Sequence, residues 1–201
     1  MITEIFMDKI EFLNLSLDES AETKLKMKTA CKDSILEAAK IITDSYKSGH
    51  KLLLCGNGGS AADCQHIAAE FMIRLSHNIQ RPALPAIALT TDSSNLTAGG
   101  NDIGYENVFA RNVEGLGNAG DVLLAISTSG NSPNVIKAIA MAKSKQMKVV
   151  AFLGGTGGKI LAEADVPVVI PSGNTQRIQE GHITAAHIIC ELVEVELYGN
   201  K

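Results

Sequence analysis

The 201-residue sequence has no tryptophan, and aromatic residues make up only 4% of it. It has no run of lysines or arginines, and its formal net charge is −4, so the basic footprint of a nucleic-acid binder is missing. Its four cysteines, Cys31, Cys55, Cys64 and Cys190, form no CxxC pair and read as reduced intracellular thiols, two of them in the core. No apolar run approaches the ~20 residues a membrane span requires. The N-terminal MITEIFMDKIEF carries acids where a signal peptide has a basic flank and a long apolar segment. These absences predict a cytoplasmic protein. What is present, 45% hydrophobic residues, suits one domain over residues 1–201 with a sizeable core. Residues 1–48 form a helical segment in this reading, and residues 49–201 an α/β core.

The most informative stretch is Lys51 to Glu70, KLLLCGNGGSAADCQHIAAE. Leu52–Cys55 is a short apolar run of strand length. Gly56-Asn57-Gly58-Gly59-Ser60 is a turn whose glycines permit unusual backbone angles. Ala61 to Glu70 favours helix. A strand, a glycine loop and a helix together aim free backbone N–H groups at an anion. The same helix carries His66 and Glu70, whose i,i+4 spacing puts both side chains on one face. Either residue alone reads as an ordinary structural or solvated side chain. Together with the loop they mark a candidate active site.

Along the chain, Ile35, Ala38, Ala39, Ile42 and Tyr46 recur at helical spacing before Gly49. Strands are predicted at Leu52–Cys55, Ala86–Leu89, Val122–Ile126, Val149–Leu153 and Val166–Ile170. Helices are predicted at 61–75, 104–115, 133–145, 158–163 and from Thr175 to Tyr198. Buried aliphatic runs alternating with helices predict a doubly wound, open, five-stranded parallel sheet flanked by helices. Its ligand site is expected beyond the carboxyl ends of the strands. Small polar residues follow three of them: Asn57–Ser60, Thr90–Ser94 and Ser127–Ser132.

Ser127-Thr128-Ser129-Gly130-Asn131-Ser132-Pro133 places hydroxyls and backbone N–H groups ahead of a helix that opens with proline. That suits a phosphate monoester without Lys or Arg; the plainer alternative is a Ser-rich turn with an N-cap. Gly56-x-Gly58-x-x-Ala61 matches the dinucleotide fingerprint, but no acid follows about 20 residues on. Around Gly157-Gly158-Lys159-Ile160, Leu153 and Ile160 stand where a P-loop needs Gly and Ser/Thr. The last helix adds Arg177-Ile178-Gln179-Glu180, His182 and His187. Gln179 and His187 drift by about 80° around a helix and can line one cleft. Spacing does not choose between His182 and His187.

GNGGS, the HxxxE helix, Gly100-Asn101-Asp102, STSGNS and RIQE with its following histidines together resemble the sedoheptulose 7-phosphate isomerases (phosphoheptose isomerases) of the sugar isomerase (SIS) fold. The resemblance covers roughly residues 30–198. STSGNS is common to many phosphosugar-binding SIS domains; the HxxxE helix with RIQE and its following histidines is much more specific to the heptose branch. The resemblance implies a flavodoxin-like SIS fold and one Zn²⁺ per active site on His66, Glu70, Gln179 and His187. It implies Glu70 and His187 as the catalytic acid/base pair. It implies substrate contacts at Asn57, Gly58, Gly59, Ser60, Glu70, Arg74, Asn101, Asp102, Ser127, Thr128, Ser129, Ser132 and Gln179. It also implies a homotetramer with sites at subunit interfaces, and a product used for bacterial surface heptose. One departure stands out: Gln176 occupies the position before RIQE where a member of that family carries an acid. Two alternatives differ in class, a phosphosugar-binding or replication-initiator-binding module without catalysis, and an isomerase of another sugar phosphate.

Overall fold

The computed structural model describes residues 8–199. Leu52–Gly56 (β1), Ala86–Ala88 (β2), Val122–Ser127 (β3), Lys148–Gly154 (β4) and Val166–Ile170 (β5) form one sheet in the order β2-β1-β3-β4-β5. Every neighbouring pair is parallel. β1 and β3 are buried along their whole length, as strands covered on both faces must be. Alternate residues therefore feed two cores. Leu52, Leu54, Leu124 and Phe152 join one cluster, while Leu53, Cys55, Leu123 and Ala151 join the other. On the first face pack the helices Lys9–Ala30 (α1), Lys32–Lys47 (α2), Gly59–Met72 (α3) and Thr175–Tyr198 (α7). On the second pack Tyr105–Leu116 (α5) and Pro133–Ser144 (α6), with Ser93–Asp102 (α4) beside α5. The doubly wound parallel sheet expected from the alternating runs is the observed one.

The differences are local. The N-terminal segment is two helices that break at Cys31, and the expected helix over residues 1–7 lies outside the described residues. α3 starts two residues before the predicted helix at 61–75 and stops three residues short of its end. β2 ends one residue early, and the helix expected over 158–163 is a single 3₁₀ segment, Gly158–Ala162. α4 was absent from the sequence expectation. Its sequence SSNLTAGGND has no apolar stripe and buries no residue. It is held by the Asp92 carboxylate, which accepts from the Asn95 N–H at 3.0 Å, and by an Asn95–Asn112 bond of 2.7 Å. All four cysteines, rather than two, are buried and free. Burial alone pushes the Cys55 thiol up to about 12, which makes it a packing residue rather than a nucleophile. No helix among the described residues is long and apolar enough to cross a membrane.

One polar side chain in the core carries a pH signature. His182 of α7 is fully buried against the Phe152 ring, and its Nε2 lies 2.9 Å from the Leu153 carbonyl. That distance fits an Nε2–H donor and leaves Nδ1 buried without a partner. Burial lowers its pKa to about 4. In the unfolded chain the same imidazole takes a proton near pH 6.5. The folded value is thus the depressed one. Stability on this account is complete above pH 6.5 and is lost as pH falls towards 4. Relative to pH 7.5, His182 is expected to cost about 2 kcal/mol of unfolding free energy at pH 5.0. Urea unfolding of the wild type and His182→Gln at both pH values checks this: the pH sensitivity should shrink by about that amount in the variant.

Candidate active site

The strand order reverses between β1 and β3, and an open sheet of this topology leaves a crevice there at the strand carboxyl ends. Two loops wall it. After β1, Asn57 leads into Gly58, whose φ of +56° is accessible to glycine but strained for other residues. After β3, the 127–132 loop turns through Gly130 at φ +65° into α6, with Ser132 at the N-cap and Pro133 at the first helical position. The Gly130 turn is pressed against the 3₁₀ segment; a Cβ built on it would stand 1.9 Å from the Gly157 carbonyl oxygen. The Ile160 N–H donates to the Gly130 carbonyl at 3.0 Å, and the Lys159 N–H donates to Asn131 Oδ1 at 3.2 Å. The Ser127 and Ser132 hydroxyls meet across the loop at 2.9 Å. The two walls are joined by a reciprocal amide pair: Asn57 Nδ2 donates to Asn134 Oδ1 at 2.9 Å and Asn134 Nδ2 donates to Asn57 Oδ1 at 2.8 Å. Sequence reasoning missed Asn134, which looks there like an ordinary first-turn residue. The pair commits the Asn57 side chain to the scaffold.

The second part of the site lies between α3 and α7. The His66 Nε2 stands 3.0 Å from Glu70 Oε1 and 3.4 Å from His187 Nε2, and the two imidazoles meet edge to face. One donor atom from each of the three residues lies within 4.8 Å of the others. The structure therefore separates the two histidines that spacing left equivalent. His187 joins the cluster, and His182 is in the core. Gln179, at the start of α7, packs its amide on Gly59; a Cβ there would lie 2.4 Å from Gln179 Nε2. One turn before His66, Asp63 has a buried Oδ2 without a partner, and burial raises its carboxyl pKa against the opposing pull of His66. Its position three residues before His66 was a usable but unread signal.

The other predicted positions are less central. Gly58 and Gly59 are exposed and Ser60 is buried at the N-terminus of α3, while Thr128 is half-buried and Ser129 exposed on the β3 loop. Asn101 and Asp102 are exposed at the end of α4, bonded to each other at 2.7 Å. Arg74 is exposed, two residues beyond the end of α3. Among the described residues, no hydrogen bond or ion pair links Arg74, Asn101 or Asp102 to the histidine–carboxylate cluster. Gln176 is exposed and serves the α7 N-cap, its N–H donating to Asn174 Oδ1 at 3.0 Å.

The donor set can be tested against a metal. Two nitrogens each about 2.0–2.1 Å from a tetrahedral Zn²⁺ are about 3.3 Å apart. The His66–His187 nitrogen separation of 3.4 Å matches that span, and two imidazoles with a carboxylate are ligands zinc accepts. The residues present fit the ion.

Residues 17–154 match the model of the SIS domain. The chain is 53% identical to the phosphoheptose isomerase of Chlorobaculum tepidum over 174 residues, which is 85% of this chain and 83% of that one. It superposes on the solved structure of a phosphoheptose isomerase from Neisseria gonorrhoeae with a TM-score of 0.87 at 42% identity, covering 92% of this chain and 98% of that one. For a phosphoheptose isomerase from Francisella tularensis the TM-score is 0.89 at 36% identity, with 94% and 99% covered.

The amide pair gives a test of the crevice walls. Asn134→Ala removes both Asn57 bonds and the acceptor of the Val135 N–H at 3.0 Å. The expected cost is about 1–3 kcal/mol in urea unfolding, because the groups left behind are partly buried.

Proposed function

The chain belongs to the SIS domain family, among its phosphoheptose isomerases, and from that membership we propose that it interconverts sedoheptulose 7-phosphate and D-glycero-D-manno-heptose 7-phosphate. It acts in this reading as an aldose–ketose isomerase, moving a proton between C1 and C2 through an enediol, and its product supplies bacterial surface heptose. The observation that carries the reading is the convergence of His66, Glu70 and His187 from two helices distant in sequence. A module that only bound sugar phosphates or a protein partner would have no use for that cluster.

The chemistry follows from the two parts of the site. The phosphate is held by the Ser127, Thr128, Ser129 and Ser132 hydroxyls and backbone N–H groups at the positive end of α6. The α3 N-terminus at Gly58 and Gly59 contributes further N–H groups toward the sugar chain, the Ser60 N–H being held by the Asn57 carbonyl at 3.0 Å. With its anionic end fixed there, the substrate extends its carbonyl end toward α3 and α7. Glu70 takes the carbon-bound proton, and His187 acts as the partner acid on the neighbouring centre. Positioned groups of this kind each contribute about 10²–10⁴ in rate. His66, Glu70 and His187, with Gln179 as a neutral fourth donor, would hold one Zn²⁺, which supplies Lewis acidity to polarise the substrate carbonyl. A carboxylate oxygen or imidazole nitrogen engaged by a cation is a poor base or acid, so with the ion bound Glu70 would need one oxygen, and His187 one ring nitrogen, left free for proton transfer.

We also assign the chain to a homotetramer with its sites near subunit interfaces. Two features support this. α1 exposes Ile10, Phe12, Leu13 and Leu17, each more than half accessible, and such an apolar face needs cover. The His66 side chain is 48% exposed, which leaves an enediol open to water unless a second copy closes the site.

A coupled assay with sedoheptulose 7-phosphate, with and without added zinc, tests the activity; no turnover of this ketose in the zinc-loaded protein would reject the reading. Glu70→Gln is expected to fold and bind sugar phosphate but to lose about 10²–10⁴ in kcat. Chelation should abolish activity and zinc should restore it, whereas full activity in verified metal-free protein would remove the metal from the account. Light scattering at micromolar concentration is expected to give four times the chain mass.

A further inference from the structure

Beyond the cluster, a buried ion pair with no part in the chemistry so far described joins α7 to Arg81, which lies in the segment between α3 and β2. The Arg81 Nε donates to Glu194 Oε1 at 2.8 Å, with the two side chains 0% and 1% exposed. The remaining arms of the guanidinium reach the last turn of α3. Arg81 Nη2 donates to the Glu70 carbonyl at 2.7 Å, and Nη1 donates to the Phe71 and Pro82 carbonyls at 2.8 and 3.0 Å. Carbonyls at that end of a helix lack intrahelical partners, and a cation there also meets the negative end of the helix dipole. Glu194 accepts the N–H groups of Leu75 and Ser76, both at 3.3 Å, just beyond the same helix end.

The register of this clamp ties it to the cluster. Glu194 lies seven residues beyond His187 on α7, two turns along the same face. The main-chain oxygen gripped by Arg81 belongs to Glu70 itself. A buried ion pair adds little net stability over apolar residues of the same volume. What this one provides is a fixed distance between a helix end carrying Glu70 and a helix carrying His187. Misplacement of reacting groups by about 1 Å can cost about 10²-fold in rate.

We propose that Arg81 and Glu194 are positioning residues that set the spacing of α3 against α7 and thereby align His66 and Glu70 with His187. The kinetic part of this inference rests on the isomerase reading; the metal-binding part does not.

The test compares the wild type with Glu194→Gln and with the double variant Arg81→Met/Glu194→Leu, which replaces the pair by apolar side chains of similar size. Zinc affinity, measured by competition with a chelating dye, is expected to fall by about tenfold or more in the folded double variant. kcat should fall by a similar factor, and KM should stay within about threefold because the phosphate loop rests on β3 and α6. A folded double variant with zinc affinity and kcat within about twofold of the wild type overturns the proposal. If the double variant does not fold, the decision passes to Glu194→Gln under the same criteria and to hydrogen exchange in the wild type. Coupling is reciprocal, so zinc should slow exchange at the Leu75 and Ser76 amides. Unchanged exchange there overturns the proposal as well. A wild type that binds zinc with this coupling but leaves sedoheptulose 7-phosphate unconverted would defeat the isomerase reading and keep the positioning pair.

Discussion

The site depends on the side-by-side packing of α3 and α7. They follow strands in different halves of the sheet, yet they meet in a steady register. Gln179 lies on Gly59, His187 meets His66 across 121 positions, and Glu194 meets Leu75 across 119. A nearly constant offset means that the two helices run in the same direction, as helices following parallel strands do. The three contacts are the start, middle and end of one seam. At its start the bare Gly59 lets the Gln179 amide lie against α3, and a side chain at 59 would push that amide aside. At its end the buried Arg81–Glu194 pair closes it. Between them, His66 and Glu70 face His187.

The anion end of the site is built by different means. No lysine or arginine stands in either the Asn57–Ser60 or the Ser127–Ser132 loop, so the phosphate binding proposed for them draws on hydroxyls and backbone dipoles. Such a cradle works only if the backbone is held still. Gly130 is locked against Gly157, Asn131 bridges to Lys159, and the Asn57–Asn134 amides tie the two walls together. The two parts of the proposed site thus rest on separate supports, one on the second face of the sheet around α6 and one on the first face between α3 and α7.

Much of the architecture was legible in advance because the signals were local. The runs at Leu52, Val122 and Val149 are near-continuous aliphatic segments, as strands covered on both faces read, while the edge strand at Val166 is fully buried only at alternate residues. α2 announced itself by Ile35, Ala38, Ala39 and Ile42 on one face. α4 has no such stripe: beyond its Asp92 cap, its hold on α5 comes from side-chain amides that find each other only after folding. The same is true of Asn134 and of Arg81, whose partners lie 77 and 113 residues away. Neither position has a spacing pattern that a reading of the chain alone can detect.

The sequence by itself determined the parallel α/β class, the glycine and hydroxyl loops after β1 and β3, and the pairing of His66 with Glu70 on one helical face. Each of these is written in residues at most a few positions apart, within reach of backbone geometry and helical periodicity. Only the tertiary structure decided that His187 faces the cluster while His182 is sealed in the core, one helical turn or so away on α7. The choice depends on how α7 rotates as it settles between α3 and β4, and that rotation is set by packing across the whole sheet rather than by any neighbour in the chain.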